Sequence, residues 1–174
     1  MNIKEINKTI YRKNLNRIIV GFISTLAILS LLFGTLLIHF FGVSPEQLLN
    51  GESNFKLNLI GVMLALISCL SLLYKLRLSG YFYEVFYVWK IKQIHNLIYR
   101  KYKKIKAAAE NDNVNALIIL NYYYETLIQV YQLDDNTITM TELTKKQQAL
   151  HQQIADKHLT ITSSQFDKDL LKEF

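Results

Sequence analysis

The chain has 174 residues, is 51% hydrophobic and carries a formal net charge of +6. That is apolar for a soluble domain of this size, and one domain plus something added is the natural expectation. A single cysteine excludes an internal disulfide framework, and one proline with six glycines leaves too few turn residues for a sheet protein.

Residues 1–17 form a basic N-terminal segment: Lys4, Lys8, Arg12, Lys13 and Arg17 stand against Glu5, a net +4. Residues 18–41, IIVGFISTLAILSLLFGTLLIHFF, contain no Asp, Glu, Lys or Arg. This run exceeds the roughly 20 residues needed to cross a bilayer's hydrocarbon. It is also longer than a signal-peptide h-region, and no A-x-A-like site follows, so a retained transmembrane anchor is expected. A short loop, 42–56, carries Glu46, Glu52 and Lys56, net −1. The second run, LNLIGVMLALISCLSLLY over 57–74, is uncharged and opens a second transmembrane helix placed at 57–78, with Lys75 and Arg77 directly behind the run. Cations favour the cytoplasmic side, so both termini are expected there, with the loop outside.

Gly61, Ala65 and Cys69 recur every four residues on the second run, and Ala27, Ser30 and Gly34 form a comparable stripe on the first. Small residues at such spacing let helices approach closely in lipid. Cys69 fits the stripe better than a redox role. His39 is read as an interfacial residue near the outer end of its run.

Residues 79–174 are expected to form a cytoplasmic helical domain. They open on six aromatics, Tyr81, Phe82, Tyr83, Phe86, Tyr87 and Trp89, of the kind that gathers at headgroup level. Tyr87, Ile91, Ile94, Ile98 and Ile105 then make one helical stripe. Residues 90–106 carry Lys90, Lys92, Arg100, Lys101, Lys103, Lys104 and Lys106 with no acid between Val85 and Ala109. Anionic lipid, an acidic partner or plain solvent could face these cations. Nucleic acid is not expected, because the aromatics lie away from the lysine cluster. Residues 107–174 have five lysines against ten acids, and such a segment could fold back on the basic helix.

Asn111-Asp112-Asn113 ends this helix. A second, from Val114 to about Gln132, lines one face with Leu117, Leu120, Tyr124, Leu127 and Tyr131, and the short connection between two amphipathic helices predicts an antiparallel hairpin. Asp134-Asp135-Asn136 is read as a turn, since no further calcium-loop ligands follow. Thr139 and Glu142 have capping-box spacing and open a third helix to about His158, with Leu143, Leu150 and Ile154 on its stripe. Capping logic recurs at Ser164–Asp167, before a last short helix whose Phe166, Leu170, Leu171 and Phe174 could dock on the bundle. His95 is expected to be solvated. His151 and His158 are about 10 Å apart along a helix, too far to share a metal. No nucleotide, metalloprotease or serine-hydrolase motif is present, so no catalytic residue, cofactor or metal is expected.

The segments YRKNLNRIIV, NLIGV, EVFYVWKIKQIHNLIYRKYKKIKAAAE, ALIILNYYYETLIQVYQLDDNTIT and MTELTKKQQAL occur in this order. Together they resemble a family of uncharacterised gammaproteobacterial membrane proteins grouped as a domain of unknown function. The resemblance implies a two-span protein of the bacterial inner (cytoplasmic) membrane and brings no activity or cofactor with it.

The expectation is therefore all-α: a two-helix transmembrane hairpin followed by a cytoplasmic helical hairpin or bundle. The expected role is non-enzymatic, a membrane-tethered interaction module. Trp89, Lys90, Lys92, Arg100, Lys101, Lys103 and Lys104 would meet lipid or an acidic partner. The alternative is an accessory subunit of a larger membrane enzyme or transporter complex. The bilayer, a membrane-protein partner or a second copy of the chain are the expected company, with no small-molecule substrate. A catalytic role for Asp134, Asp135 and Glu142 is the least favoured reading.

Overall fold

The computed structural model describes residues 3–49 and 51–174. Met1, Asn2 and Asn50, which fall in the expected N-terminal segment and loop, lie outside the described residues. Among the described residues all regular structure is helical: α1 (Lys8–Phe41), α2 (Pro45–Leu49), α3 (Phe55–Leu76), α4 (Tyr83–Glu110), α5 (Val114–Leu133) and α6 (Met140–Asp156). Two short 3-10 turns follow, Ser163–Gln165 and Lys168–Glu173. The chain divides into two units, one of residues 1–12 with Glu84–Phe174, the other Lys13–Tyr83.

The Lys13–Tyr83 unit holds most of α1, with α2 and α3. Both α1 and α3 are long and apolar enough, by length and composition, to cross a membrane. Their hydrophobic side chains are mostly exposed: Leu31 by 73%, Phe40 by 71%, Ile67 by 57%. The residues of α3 that are buried are Gly61, Ala65 and Cys69. Side-chain hydroxyls are satisfied locally. Ser30, Thr35, Ser68 and Ser71 each donate to the carbonyl four residues back, at 2.6 to 2.9 Å. Such bonding to the preceding turn is a common local solution for Ser and Thr inside a helix. The loop expected over 42–56 contains the short helix α2. Asn54 Oδ1 accepts from Val43 N at 3.0 Å and ties the end of α1 to the start of α3.

The other unit is a bundle around α5, whose residues Ala116–Tyr124 are buried without interruption. A helix apolar all round belongs in a core. The α4 stripe of Tyr87, Ile91, Ile94, Ile98 and Ile105 is buried, as its spacing predicts. From α6 come Leu143, Leu150 and Ile154, and from the C-terminal turns Phe166 and Leu171. Phe166 stacks on Tyr122 with ring centroids 4.1 Å apart and planes at 9°.

A chain with six glycines must end its helices by other means. Asp112, Asp135 and His158 all have φ between 53° and 60°. Each sits just past a helix, where the next amide bonds back to the carbonyl five residues earlier: Asn113 to Ala108, Asn136 to Tyr131, Leu159 to Ile154, at 2.9 to 3.1 Å. These are Schellman closures with a non-glycine residue in the left-handed position. After the first of them, Asn113 Oδ1 accepts from Ala116 N at 2.9 Å and starts α5.

Three local expectations are corrected. Thr139 makes no side-chain cap; Glu142 pairs with Lys146 at 2.6 Å instead of reaching back. The reach-back bond occurs later, from Thr162 N to Gln165 Oε1 at 2.8 Å, while Asp167 caps the final turn through Asp169 N at 2.9 Å. Finally, α6 ends at Asp156, with His158 already in the left-handed turn.

Candidate functional site

The outer face of α4 is set by the helix period. With Tyr87, Ile91, Ile98 and Ile105 turned inward, steps of about 100° per residue put Trp89, Arg100 and Lys103 on the opposite side and Lys104 on the flank beside them. All four are exposed. Among the described residues, Arg100, Lys103 and Lys104 form no ion pair. With Tyr99, Tyr102 and Phe174 they edge an open concavity of about 710 Å³.

The remaining expected contact residues are engaged within the chain. Lys92 Nζ bonds Asp134 at 2.7 Å, and Lys101 Nζ donates to the Leu171 carbonyl at 2.7 Å. Lys90 Nζ stands 4.8 Å from the centre of the Phe86 ring, and Phe86 stacks on Trp89 at 5.5 Å. Trp89 remains 52% exposed.

Of the small residues, Gly34 and Gly61 meet. A Cβ added to Gly61 would lie 2.7 Å from Gly34 N and 2.9 Å from its Cα. Ala65 and Cys69 are buried on the same stripe. Ser30 is half-buried and Ala27 is exposed.

The acidic turn after α5 serves a purpose that spacing did not suggest. Residues 3–12, expected to be a separate basic terminus, pack on the bundle. Gln129 Nε2 donates to the Lys4 carbonyl at 2.6 Å, and Lys4 N donates to Tyr87 Oη at 2.7 Å. The buried Tyr11 donates to Asp134 at 3.1 Å, while Lys8 and Arg12 pair with Asp135. Burial and the Asp134 carboxylate raise the Tyr11 phenol well above its ordinary pKa. The available signal was charge complementarity between a +4 terminus and Asp134-Asp135, but a positive-inside flank looks the same in sequence. Asp134, Asp135 and Glu142 are thus each held by a cation. Among the described residues no group of three or more His, Cys, Asp or Glu could hold a metal ion.

His95 corrects another expectation. It is buried and its Nε2 lies 2.8 Å from Thr126 Oγ1. Thr126 gives its only proton to the Tyr122 carbonyl at 2.7 Å, so His95 Nε2–H must be the donor. The stripe could not reveal this, because a polar residue beside an apolar face is buried only if its partner arrives from another helix. Burial, then the nearby Lys92, lowers the His95 pKa from 6.5 to about 4. The unfolded chain therefore binds an extra proton between these values, and stability falls as pH drops from 6.5 to 4. At about 1.4 kcal/mol per unit, the loss is roughly 3 kcal/mol. Denaturant midpoints at pH 7 and pH 4 should show that much less acid sensitivity in His95→Gln than in the wild type. Equal sensitivity would contradict the buried neutral imidazole.

No curated protein and no solved structure matches the chain at a significant level. Residues 1–171 match the family described as protein of unknown function (DUF3087), and the chain belongs to that family.

Proposed function

We propose that the protein is a non-enzymatic, two-span integral protein of the bacterial inner membrane with both termini in the cytoplasm. Its bundle acts as an interaction module, and the outer face of α4 meets anionic lipid or an acidic partner. The observation that carries the contact surface is the division among the α4 cations. Lys92, Lys101 and Lys106 have partners inside the chain, whereas Arg100, Lys103 and Lys104 are exposed and, among the described residues, pair with no carboxylate. The membrane reading is supported by apolar side chains left exposed along α1 and α3, a heavy cost in water and none in hydrocarbon. A non-enzymatic role is supported by the engagement of Asp134, Asp135 and Glu142 with neighbouring cations.

A polarity-sensitive dye on Ala107→Cys, in the full chain with Cys69 replaced by Ser, reports on this face. Moving from zwitterionic to anionic nanodiscs should shift its emission to the blue. Arg100, Lys103 and Lys104 together changed to Glu should abolish the shift, each surface cation contributing about 1 kcal/mol. No shift in the parent protein would remove the lipid arm and leave an acidic protein as the partner.

A second reading, an accessory subunit of a larger membrane enzyme or transporter complex, is favoured by Ala27. This small residue of α1 is exposed and offers a close-approach point to another helix. Co-purification from native membranes in mild detergent separates the two: a stoichiometric partner lost on Ala27→Phe supports the subunit.

A further inference from the structure

We propose that the crevice between the N-terminal half of α1 and the C-terminal half of α3 holds one acyl chain of an anionic phospholipid, whose phosphate sits on Arg17. The proposal rests on the membrane reading and concerns a site separate from the face of α4.

The crevice has a volume of about 230 Å³ and lies wholly within the Lys13–Tyr83 unit. Its walls are mostly apolar, formed by Ile18, Gly21 and Phe22 of α1 and by Leu72, Leu73 and Leu76 of α3, with Thr25 and Cys69 at the deeper end. Tyr81 and Phe82, from the segment after α3, line one end. That segment is held by Asn14, whose Nδ2 donates to the Tyr81 carbonyl at 3.1 Å. Gly21 is why the space exists. A Cβ built there meets nothing within 4 Å, whereas one at Gly61 runs into the Gly34 backbone. The two helices therefore touch at one glycine pair and leave a gap at another glycine on the same helix.

An apolar gap without atoms in it forfeits dispersion contacts along its whole lining. In a bilayer the adjacent apolar matter is lipid chain. What makes the crevice selective is its rim. Among the described residues Arg17 is the only charged one lining it, and Lys13 stands one turn earlier on α1. A guanidinium grips phosphate by two parallel hydrogen bonds. An anionic headgroup is favoured over a zwitterionic one, because the latter brings its own ammonium next to two cations.

The test is native mass spectrometry of the full chain purified in mild detergent, offered phosphatidylglycerol or phosphatidylethanolamine. The wild type should retain one phosphatidylglycerol per chain, with about tenfold preference over phosphatidylethanolamine. Arg17→Gln should lose that preference while still retaining lipid. Gly21→Leu should fill the gap and abolish retention of both lipids without lowering thermal stability, since nothing stands in the way of its side chain. Undiminished retention in Gly21→Leu, or equal retention of both lipids by the wild type, would overturn the proposal. So would a stoichiometric protein partner found in the crevice in place of lipid. Carbonate extraction of the same membranes separates the two claims. A chain released by carbonate overturns the membrane reading itself, whereas one that stays in the pellet but holds no lipid overturns the crevice alone.

Discussion

Exchange of Gly61 for leucine forces α1 and α3 apart. A Cβ at this position falls 2.7 Å from Gly34 N, 2.9 Å from Gly34 Cα and 3.2 Å from the Phe33 carbonyl carbon. All three are backbone atoms, so no rotamer change relieves the contact and one helix must move bodily. Movement of a helix costs the contacts on either side of the crossing, including those that bury Ala65 and Cys69. Overpacking of a close contact typically costs 1–3 kcal/mol, and backbone against backbone belongs at the upper end, about 3 kcal/mol. For a chain of this size that lowers the melting temperature by roughly 6–12 °C, read by circular dichroism in detergent. Gly21→Leu is the matched control, the same chemical change on the same pair of helices but into open space. If Gly61→Leu melts with Gly21→Leu, the crossing is not where the two glycines place it.

Phe166→Ala should detach the last fifteen residues of the chain. Phe166 and Tyr122 are each about 1% exposed and stack face to face, so truncation removes a ring from between packed surfaces. A buried Phe→Ala change costs roughly 3–5 kcal/mol, a large fraction of the 5–15 kcal/mol that holds a domain folded. Apart from Phe166 and the buried Leu171, the segment's apolar contacts come from the partly buried Leu159, Ile161, Leu170 and Phe174. Leu171 is buried, its carbonyl accepts from Lys101, and Glu173 accepts from Asn113 and Asn115 at 2.9 and 2.6 Å. All of these lie beyond Phe166 and depend on it for placement. Hydrogen exchange over residues 160–174 should accelerate at least tenfold, and trypsin should cut at Lys168 and Lys172. Ile138, 92% exposed, is the comparison: its replacement by alanine should change neither. Unchanged protection in Phe166→Ala would mean that the C-terminal turns are held by their polar contacts.

The N-terminal contact and the α4 surface are linked through one carboxylate. Asp134 receives both the Tyr11 hydroxyl and Lys92, so Lys92, one of the cations expected to meet lipid or an acidic partner, also helps fasten residues 3–12. Exposed ion pairs of this kind contribute little individually. The buried Tyr11 and the two hydrogen bonds at Lys4 give the attachment its direction. Among the described residues, the exposed α4 cations with neither an ion pair nor a ring contact are therefore Arg100, Lys103 and Lys104, while Lys106 pairs with Glu110 and Lys90 lies over the Phe86 ring.

By itself the sequence determined the two charge-free runs within α1 and α3, the isoleucine stripe of α4, the turns at Asn111–Asn113 and Asp134–Asn136, and a helical bundle after the second apolar run. Each of these is written within one or two helical turns of chain, where spacing and side-chain charge decide the outcome directly. Only the tertiary structure decided that residues 3–12 belong to the bundle, that His95 is buried on Thr126, that Lys92 and Lys101 are engaged, and that Glu142 turns to Lys146 and leaves Thr139 uncapped. Three of these four join residues far apart: 31 positions for His95 and Thr126, 70 for Lys101 and Leu171, 123 for Tyr11 and Asp134. No local period encodes such pairs. The fourth is a competition between two weak partners for one exposed carboxylate, and neither spacing nor propensity ranks them.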